Sequence, residues 1–286
     1  MVPSFQMSVM TPMETTGLQR ESQCDSSGVV PQHQDAFRSD TGRAKTGRSE
    51  TDRAGTAAAF AAILCADPSR PFVVAQLGQS LDGRIATDTG ESRDISGSCA
   101  LDHLHALRAH VDAVVVGVGT VVADNPQLTV RRVPGRNPAR VVLDPRGRVP
   151  LDARCVQSGD TPRYIVRATD SAAIDGPTPD GVEALHLDAD ANGQIPPAEI
   201  VAALFARGLR RILVEGGADT ISRFLDAGCV DRFHVMVAPV IIGSGKPSLE
   251  MTPISALDKA LRPAADVYVL PDGNVLFDCD LRPATP

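Results

Sequence analysis

A chain of 286 residues with 43% hydrophobic content can bury a substantial core, and its length suits one large domain or two small ones. Aromatic residues make up only 3% and Trp is absent, so the core must be built from Val, Ala, Leu and Ile. A formal net charge of −7 argues against binding to nucleic acid or to an anionic membrane, so any anionic ligand must be held by locally placed Arg, Lys or backbone N–H groups.

In chain order, residues 11–53 are dominated by Ser, Thr, Gln, Gly and mixed charge, which predicts a disordered tail within residues 1–69. Ala54–Ala66 is Ala-rich and predicts a short helix that docks on the domain or on a partner. Asp67-Pro68 ends it, and the folded unit is expected from about Arg70 to Pro286. Phe72–Leu77 reads as a strand, Asp82-Gly83 as a turn into Arg84–Thr87, and Ala100–Ala109 as a helix with Leu101, Leu104 and Leu107 at helical spacing. Ala113–Val118 is a continuous apolar run that fits a strand covered on both faces, followed by strands at Arg140–Leu143 and Tyr164–Val166. Ala198–Phe205 and Thr220–Ala227 read as helices closed by Gly208 and Gly228, with the strand Ile212–Glu215 between them. Phe233–Ile242, Val267–Leu270 and Val275–Cys279 are the last strands, while Asp170–Gly181 and Ala189–Pro197 read as loops. This order implies an α/β fold: a mixed sheet with helices packed on it.

The six cysteines, at Cys24, Cys65, Cys99, Cys155, Cys229 and Cys279, form no C-x-x-C pair and read as free thiols in a reducing compartment. No stretch reaches the roughly 18 consecutive apolar residues of a spanning helix, so a soluble cytoplasmic protein is expected. The H-x-E and P-C-x-x-C elements of zinc deaminases are not found, the histidines lack a ligand spacing such as H-E-x-x-H, and no metal site is expected.

Two glycine-bearing segments, GVGTVVADNPQLTVR at Gly117–Arg131 and LVEGGADT at Leu213–Thr220, each follow a buried strand and can set bare backbone beside a phosphorylated ligand. Gly117-Val-Gly119 fails the Rossmann pattern because its third glycine would be Val122, and Gly243-Ser-Gly-Lys246 fails the P-loop pattern at Val240 and Pro247. Thr120 can cap the turn after its strand, and Asp219 or Thr220 can be the N-cap of the later helix, so a plain strand-to-helix turn competes with a ligand site at both places.

Taken together with LGQSLDGRIA at Leu77–Ala86, GES at Gly90–Ser92 and RVVLD at Arg140–Asp144, these segments resemble the riboflavin-biosynthesis reductase family from Pro71 to about Asp280. This is the reductase domain often found behind a zinc deaminase in bacterial bifunctional enzymes, and no deaminase domain is expected in this chain. The resemblance implies a dihydrofolate-reductase-like fold with a mixed, mostly parallel central sheet flanked by helices, and a homodimer. It also implies that NADPH reduces the ribose of 5-amino-6-(5-phosphoribosylamino)uracil to a ribityl chain. By matching position, Ser92, Arg108, Leu128, Arg131 and Glu215 would contact that phosphoribosylamino-pyrimidine, the arginines favouring its phosphate. Gly78, Asp94, Thr120, Asp124 and the run Gly217, Ala218, Asp219, Thr220, Ile221, Ser222 and Arg223 would border NADPH, and Asp124 could also influence a proton at the reacting carbon.

Two positions depart from the family. Asp94-Ile95-Ser96 stands where many members have an aromatic residue followed by Ile-Thr, and Pro145-Arg146 replaces a frequent Ser after Asp144. Arg146 could pair with the 2′-phosphate of NADPH or lie in a surface turn. A reductase of the same fold acting on a diamino-pyrimidine or pterin-like compound, and a non-catalytic nucleotide-binding protein, are the alternatives.

Overall fold

The β-branched runs of the chain become parallel strands because each carries apolar side chains on both faces and so must be covered on both. The structure, a computed structural model, describes residues 58–157, 159–170 and 178–282, all within the unit that runs from Gly47 to Pro286. The tail expected at residues 11–53 lies outside the described residues, as do residues 54–57 of the Ala-rich stretch and most of the loop expected at Asp170–Gly181.

Helix α1 (Ala61–Leu64) precedes β1 (Phe72–Ser80), the short β2 (Arg84–Ala86), α2 (Ser98–His110), β3 (Ala113–Gly117), α3 (Val118–Asp124), β4 (Ala139–Leu143), β5 (Arg163–Ala168) and β6 (Val182–Leu187). Then come α4 (Pro197–Phe205), β7 (Arg211–Glu215), α5 (Ala218–Asp226), β8 (Arg232–Ala238), β9 (Lys246–Pro247) and the hairpin β10 (Ala264–Val269) and β11 (Val275–Asp280). Among the described residues the main sheet has the order β10-β11-β8-β1-β7-β3-β4-β5-β6, and β2 pairs with β9 in a separate ribbon. The seven strands from β8 to β6 are parallel, and only β11 and β10 run antiparallel to their neighbours. The expected mixed, mostly parallel sheet is therefore observed.

The two-residue period of β1 divides the core. Val73, Ala75 and Leu77 face Ile200 and Leu204 of α4 and Ile221 and Phe224 of α5, whereas Phe72 and Val74 face Leu107 of α2 and Val118 and Val121 of α3. Phe60 and Ile63 add to the second face, and the Phe60 ring stacks on His110 with centroids 5.0 Å apart.

Several boundaries differ from expectation for local reasons. β8 stops at Ala238 rather than running to Ile242, because Pro239 has no N–H for a ladder and the Asp82 carboxylate takes the N–H groups of Ile242 and Gly243 at 3.1 and 2.7 Å. β3 ends at Gly117 and Val118 already opens α3, while β6, given no element in sequence, is a sheet edge whose side chains are mostly half-buried or exposed. Neither Thr120 nor Asp219 or Thr220 caps its helix: the N-caps are Gly117 and Gly217, and neither helix start has a side-chain cap.

A buried polar row crosses the α2 face at the β11 end. His103 Nε2 lies 3.0 Å from His234 Nδ1, His234 Nε2 lies 3.1 Å from Asp278 Oδ1, and Arg232 grips both oxygens of Asp278. Burial first, and His234 second, push the His103 pKa down from 6.5 to about 3, against the pull of Asp278. The unfolded chain therefore binds the proton more readily, so stability falls as pH drops below 6.5 and goes on falling until about 3. The expected loss between pH 8 and pH 5 is about 2 kcal/mol, and chemical denaturation of His103→Gln, which can still donate to His234 but does not titrate, should show a flatter acid limb.

Candidate active site

The site arises where one strand stops before its neighbours do. β7 ends at Glu215 opposite Gln76, while β1 continues beside β8 to Ser80 and β3 reaches Gly117 opposite Leu143 of β4. β7 stops because Gly216 and Gly217 take φ of +61° and +67°, a left-handed turn that glycine enters without a Cβ penalty. The notch opens at the carboxyl ends of the parallel strands, where α/β sheets hold ligands, into a cleft of about 660 Å³.

The two glycine turns form facing walls in close contact. A Cβ on Gly217 would come 2.9 Å from Thr120 Oγ1, and one on Gly117 would collide with Thr220 Oγ1. Bare backbone therefore lets the β3–α3 and β7–α5 turns approach each other. The uncapped first turn of α5 leaves its N–H groups without a side-chain acceptor.

Among the residues expected from sequence, the cleft is lined by Gly78, Ser92, Thr120, Asp124 and the Gly217–Thr220 turn with Arg223, and by Arg146, which departs from the family pattern. Arg223 is tied down by Gln194 Oε1 at 2.8 Å and by the Ile195 carbonyl at 2.9 Å. Asp94 does not line it, although its neighbours Ile95 and Ser96 do. Nor do Ile221 and Ser222: Ile221 is fully buried in the core, and Ser222 Oγ accepts the Glu250 N–H at 2.8 Å.

Arg108, Leu128, Arg131 and Glu215 are not among the residues that line the cleft, and form a connected group of their own. Arg108 Nε and Nη2 each donate to Glu215 at 2.7 Å in a buried fork, and Nη1 donates to the Thr129 carbonyl at 3.1 Å. Desolvation alone would lower the Arg108 pKa, but Glu215 outweighs it and raises it. Leu128 is buried with φ +57°, a strained conformation for a branched side chain, and such strain persists only where its surroundings enforce it. The next residues are held at three points: Thr129 by Arg108, the Val130 N–H by Asn137 Oδ1 at 2.7 Å, and the Arg131 N–H by His105 Nδ1 at 2.9 Å. Burial and then Arg108, Arg131 and Arg132 push the His105 pKa down to about 4, which keeps Nδ1 an acceptor. The Arg131 guanidinium donates to Thr129 Oγ1 at 2.9 Å, and burial followed by the charges of Arg108 and Arg154 lowers its pKa, as in a cationic cluster that an anion would relieve.

Several lining residues were not assigned to a site in sequence. Gln76 was legible in hindsight as the one polar residue within the apolar run Phe72–Leu77, Arg148 and Gln194 come from distant loops with no local signal, and Lys246, at the start of β9, belongs to the segment that failed the P-loop pattern. Arg146, Arg148, Arg223 and Lys246 oppose only Asp124 and Asp219 among the charged lining residues, a local cationic excess in a chain of net charge −7. Such a lining fits a phosphorylated ligand. Among the described residues, no group of three or more His, Cys, Asp or Glu could hold a metal ion, and no helix is long and apolar enough to cross a membrane.

The sheet order and the notch beneath two glycine turns define an α/β protein with a cation-rich cleft at its strand ends. The RibD C-terminal domain profile matches residues 71–269, and the chain belongs to that family. It is 36% identical over 181 residues to the 2,5-diamino-6-ribosylamino-4(3H)-pyrimidinone 5′-phosphate reductase of Methanothermobacter thermautotrophicus, covering 61% of this chain and 80% of that protein. It is 35% identical over 177 residues to the riboflavin biosynthesis protein RibD of Aquifex aeolicus, covering 62% of this chain and 48% of that protein. The chain thus spans about half the length of its RibD relatives. The Thermotoga maritima crystal structure of a diaminohydroxyphosphoribosylaminopyrimidine deaminase/5-amino-6-(5-phosphoribosylamino)uracil reductase aligns with a TM-score of 0.61 at 29% identity, covering 74% of this chain and 57% of that one.

Proposed function

We propose that this chain is an NADPH-dependent reductase of a phosphoribosylamino-pyrimidine in riboflavin biosynthesis, converting the ribosyl chain of 5-amino-6-(5-phosphoribosylamino)uracil to the ribitylamino product. The observation that carries the reading is the cation-rich notch between two mutually packed glycine turns. The names of the matched relatives supply the substrate class. When bound, NADPH would supply a hydride to C1′ of the ring-opened ribosylamine, whose carbon–nitrogen double bond accepts it while the nitrogen takes a proton. The chain's own task is alignment and exclusion of water. The turn Gly217–Thr220 and Thr120 border the cofactor, and Arg146 with Arg148 offers a cationic end for its 2′-phosphate. Arg131, exposed and outside the cleft lining, would reach the phosphate end of the substrate, with Arg108 and Glu215 fixing the loop that carries it, and Asp124 lines the cleft where a proton moves.

A second reading takes the diamino-pyrimidinone as the physiological substrate, and it is favoured by the 80% coverage of the Methanothermobacter protein against about half of the RibD proteins. Turnover of NADPH with the amino-oxo and the diamino ribosylamine phosphates, measured side by side, separates the two. Consumption with neither leaves the proposal without support.

The working form is a cytoplasmic homodimer built on the β10–β11 hairpin. Val267, Val269 and Phe277 are 53%, 74% and 37% exposed there, and β10 is an open sheet edge that invites a second copy. Val269→Glu is expected to shift the protein to monomer in sedimentation velocity, and an unchanged mass would refute this interface.

A further inference from the structure

We propose that Asp272, in the turn between β10 and β11, is a positioning residue that fixes the substrate side of the cleft. The inference rests on the cleft reading above. The wall in question is the segment from Ser92 to Gly97, which contributes Ser92, Ile95 and Ser96 to the lining and has no helix or strand hydrogen bonding of its own. It also contains Asp94 at φ +66°, a left-handed conformation uncommon outside glycine.

Two contacts hold the segment. On the inner side, Ser96 packs against β1 so closely that a Cβ on Gly78 would lie 2.9 Å from Ser96 Oγ. On the outer side, Asp272 Oδ2 accepts the Cys99 N–H at 2.7 Å, a bond that spans 173 residues of chain. Cys99 is the second residue of α2, whose N-cap is Gly97 and whose start has no cap from its own side chains. Asp272 therefore serves as the missing cap from another part of the fold. Gly97 has an ordinary φ of −73°, so conformational freedom does not explain it. Close approach does: a Cβ there would collide with Asp272 Oδ2 and lie 2.6 Å from Asn274 Nδ2.

The clamp itself is firmly seated. The Asn274 N–H donates to Asp272 Oδ1 at 3.3 Å, and Leu270, Leu276, Met236 and Ala100 pack together as a buried cluster. Burial pushes the Asp272 carboxyl upward, but hydrogen bonds from Asn274 and Cys99 outweigh it and hold the pKa below the usual carboxylate value. The acceptor is therefore ionised at neutral pH. Asp272 reaches the wall through Gly97 and the start of α2, and that wall carries Ser92, the substrate contact that the family resemblance implies, so its effect falls on substrate rather than on the cofactor turns at Thr120 and Gly217.

The test compares Asp272→Ala, Asp272→Asn and Asp226→Ala in the full-length protein. Asp272→Ala should raise the substrate KM by about tenfold or more through misplacement of the wall, with the NADPH Kd unchanged. Amide exchange should quicken at residues 92–99 but not at 216–223. Asp272→Asn keeps an oxygen that accepts from Cys99 and should restore most of the KM. Asp226 holds the Thr252 N–H and hydroxyl, so Asp226→Ala loosens a different loop and should lower Tm without moving KM. Unchanged KM and exchange in Asp272→Ala, or a parallel loss of substrate and NADPH binding, overturns the proposal. Should the wild-type protein turn over no substrate, the proposed function fails while the exchange pattern still decides the clamp.

Discussion

Glu215→Ala is expected to lower the unfolding free energy by about 3–5 kcal/mol and to abolish turnover, because it strands a buried guanidinium. Arg108 and Glu215 meet in a two-bond fork at 2.7 Å, with both side chains only 7% exposed. Removing the carboxylate leaves the Arg108 charge desolvated, and its remaining bond to the Thr129 carbonyl does not neutralise it. The double variant Arg108→Met, Glu215→Leu removes both charges and should regain most of the stability, since a buried pair is worth little over an apolar replacement. Its activity should not return, because the loop from Leu128 to Arg131 loses the Arg108 anchor. Urea denaturation with NADPH consumption on the same samples reads both effects, and a single variant within about 1 kcal/mol of wild type would contradict the argument.

Gly217→Ala should weaken NADPH binding by about ten- to a hundredfold while leaving the fold intact. The residue sits at φ +67°, where a Cβ is strained, and that Cβ would press on Thr120 Oγ1 from 2.9 Å. Strain and contact together push apart the two turns that border the cofactor. Gly228 is the control: its φ is +62°, but nothing lies within 4 Å of an added Cβ. Gly228→Ala therefore carries the strain alone, far from the cleft, and should lower Tm without changing the NADPH Kd. Equal effects of both variants on Kd would show that the β7–α5 turn has no special part in binding.

What could be read from sequence follows from what is local. β3, β4, β5 and β7 are short runs rich in β-branched residues bounded by Gly, Pro or charge, and a buried parallel strand needs little more. The Gly216-Gly217 turn was legible because a left-handed turn after a strand selects glycine, whereas Gly117, at φ −74°, answers to close approach by Thr220. The Arg108–Glu215 fork joins residues 107 positions apart, and nothing near either one reveals the partner. Arg148, Gln194 and Lys246 reach the cleft only through the strand order, and the helix caps were misassigned because Thr and Asp outrank Gly as N-caps in general but not where two backbones touch. The run Val240–Ile242 looked like strand because it is apolar, yet Pro239 and the Asp82 carboxylate exclude it from the ladder.

The most direct test of hydride reduction at this cleft is the fate of label from NADPH deuterated at the transferring position of C4. With the ribosylamine phosphate generated in situ, the ribitylamino product should carry one deuterium at C1′, and Gly217→Ala should slow its formation. A product without deuterium, or no product from either the amino-oxo or the diamino substrate, would contradict the account.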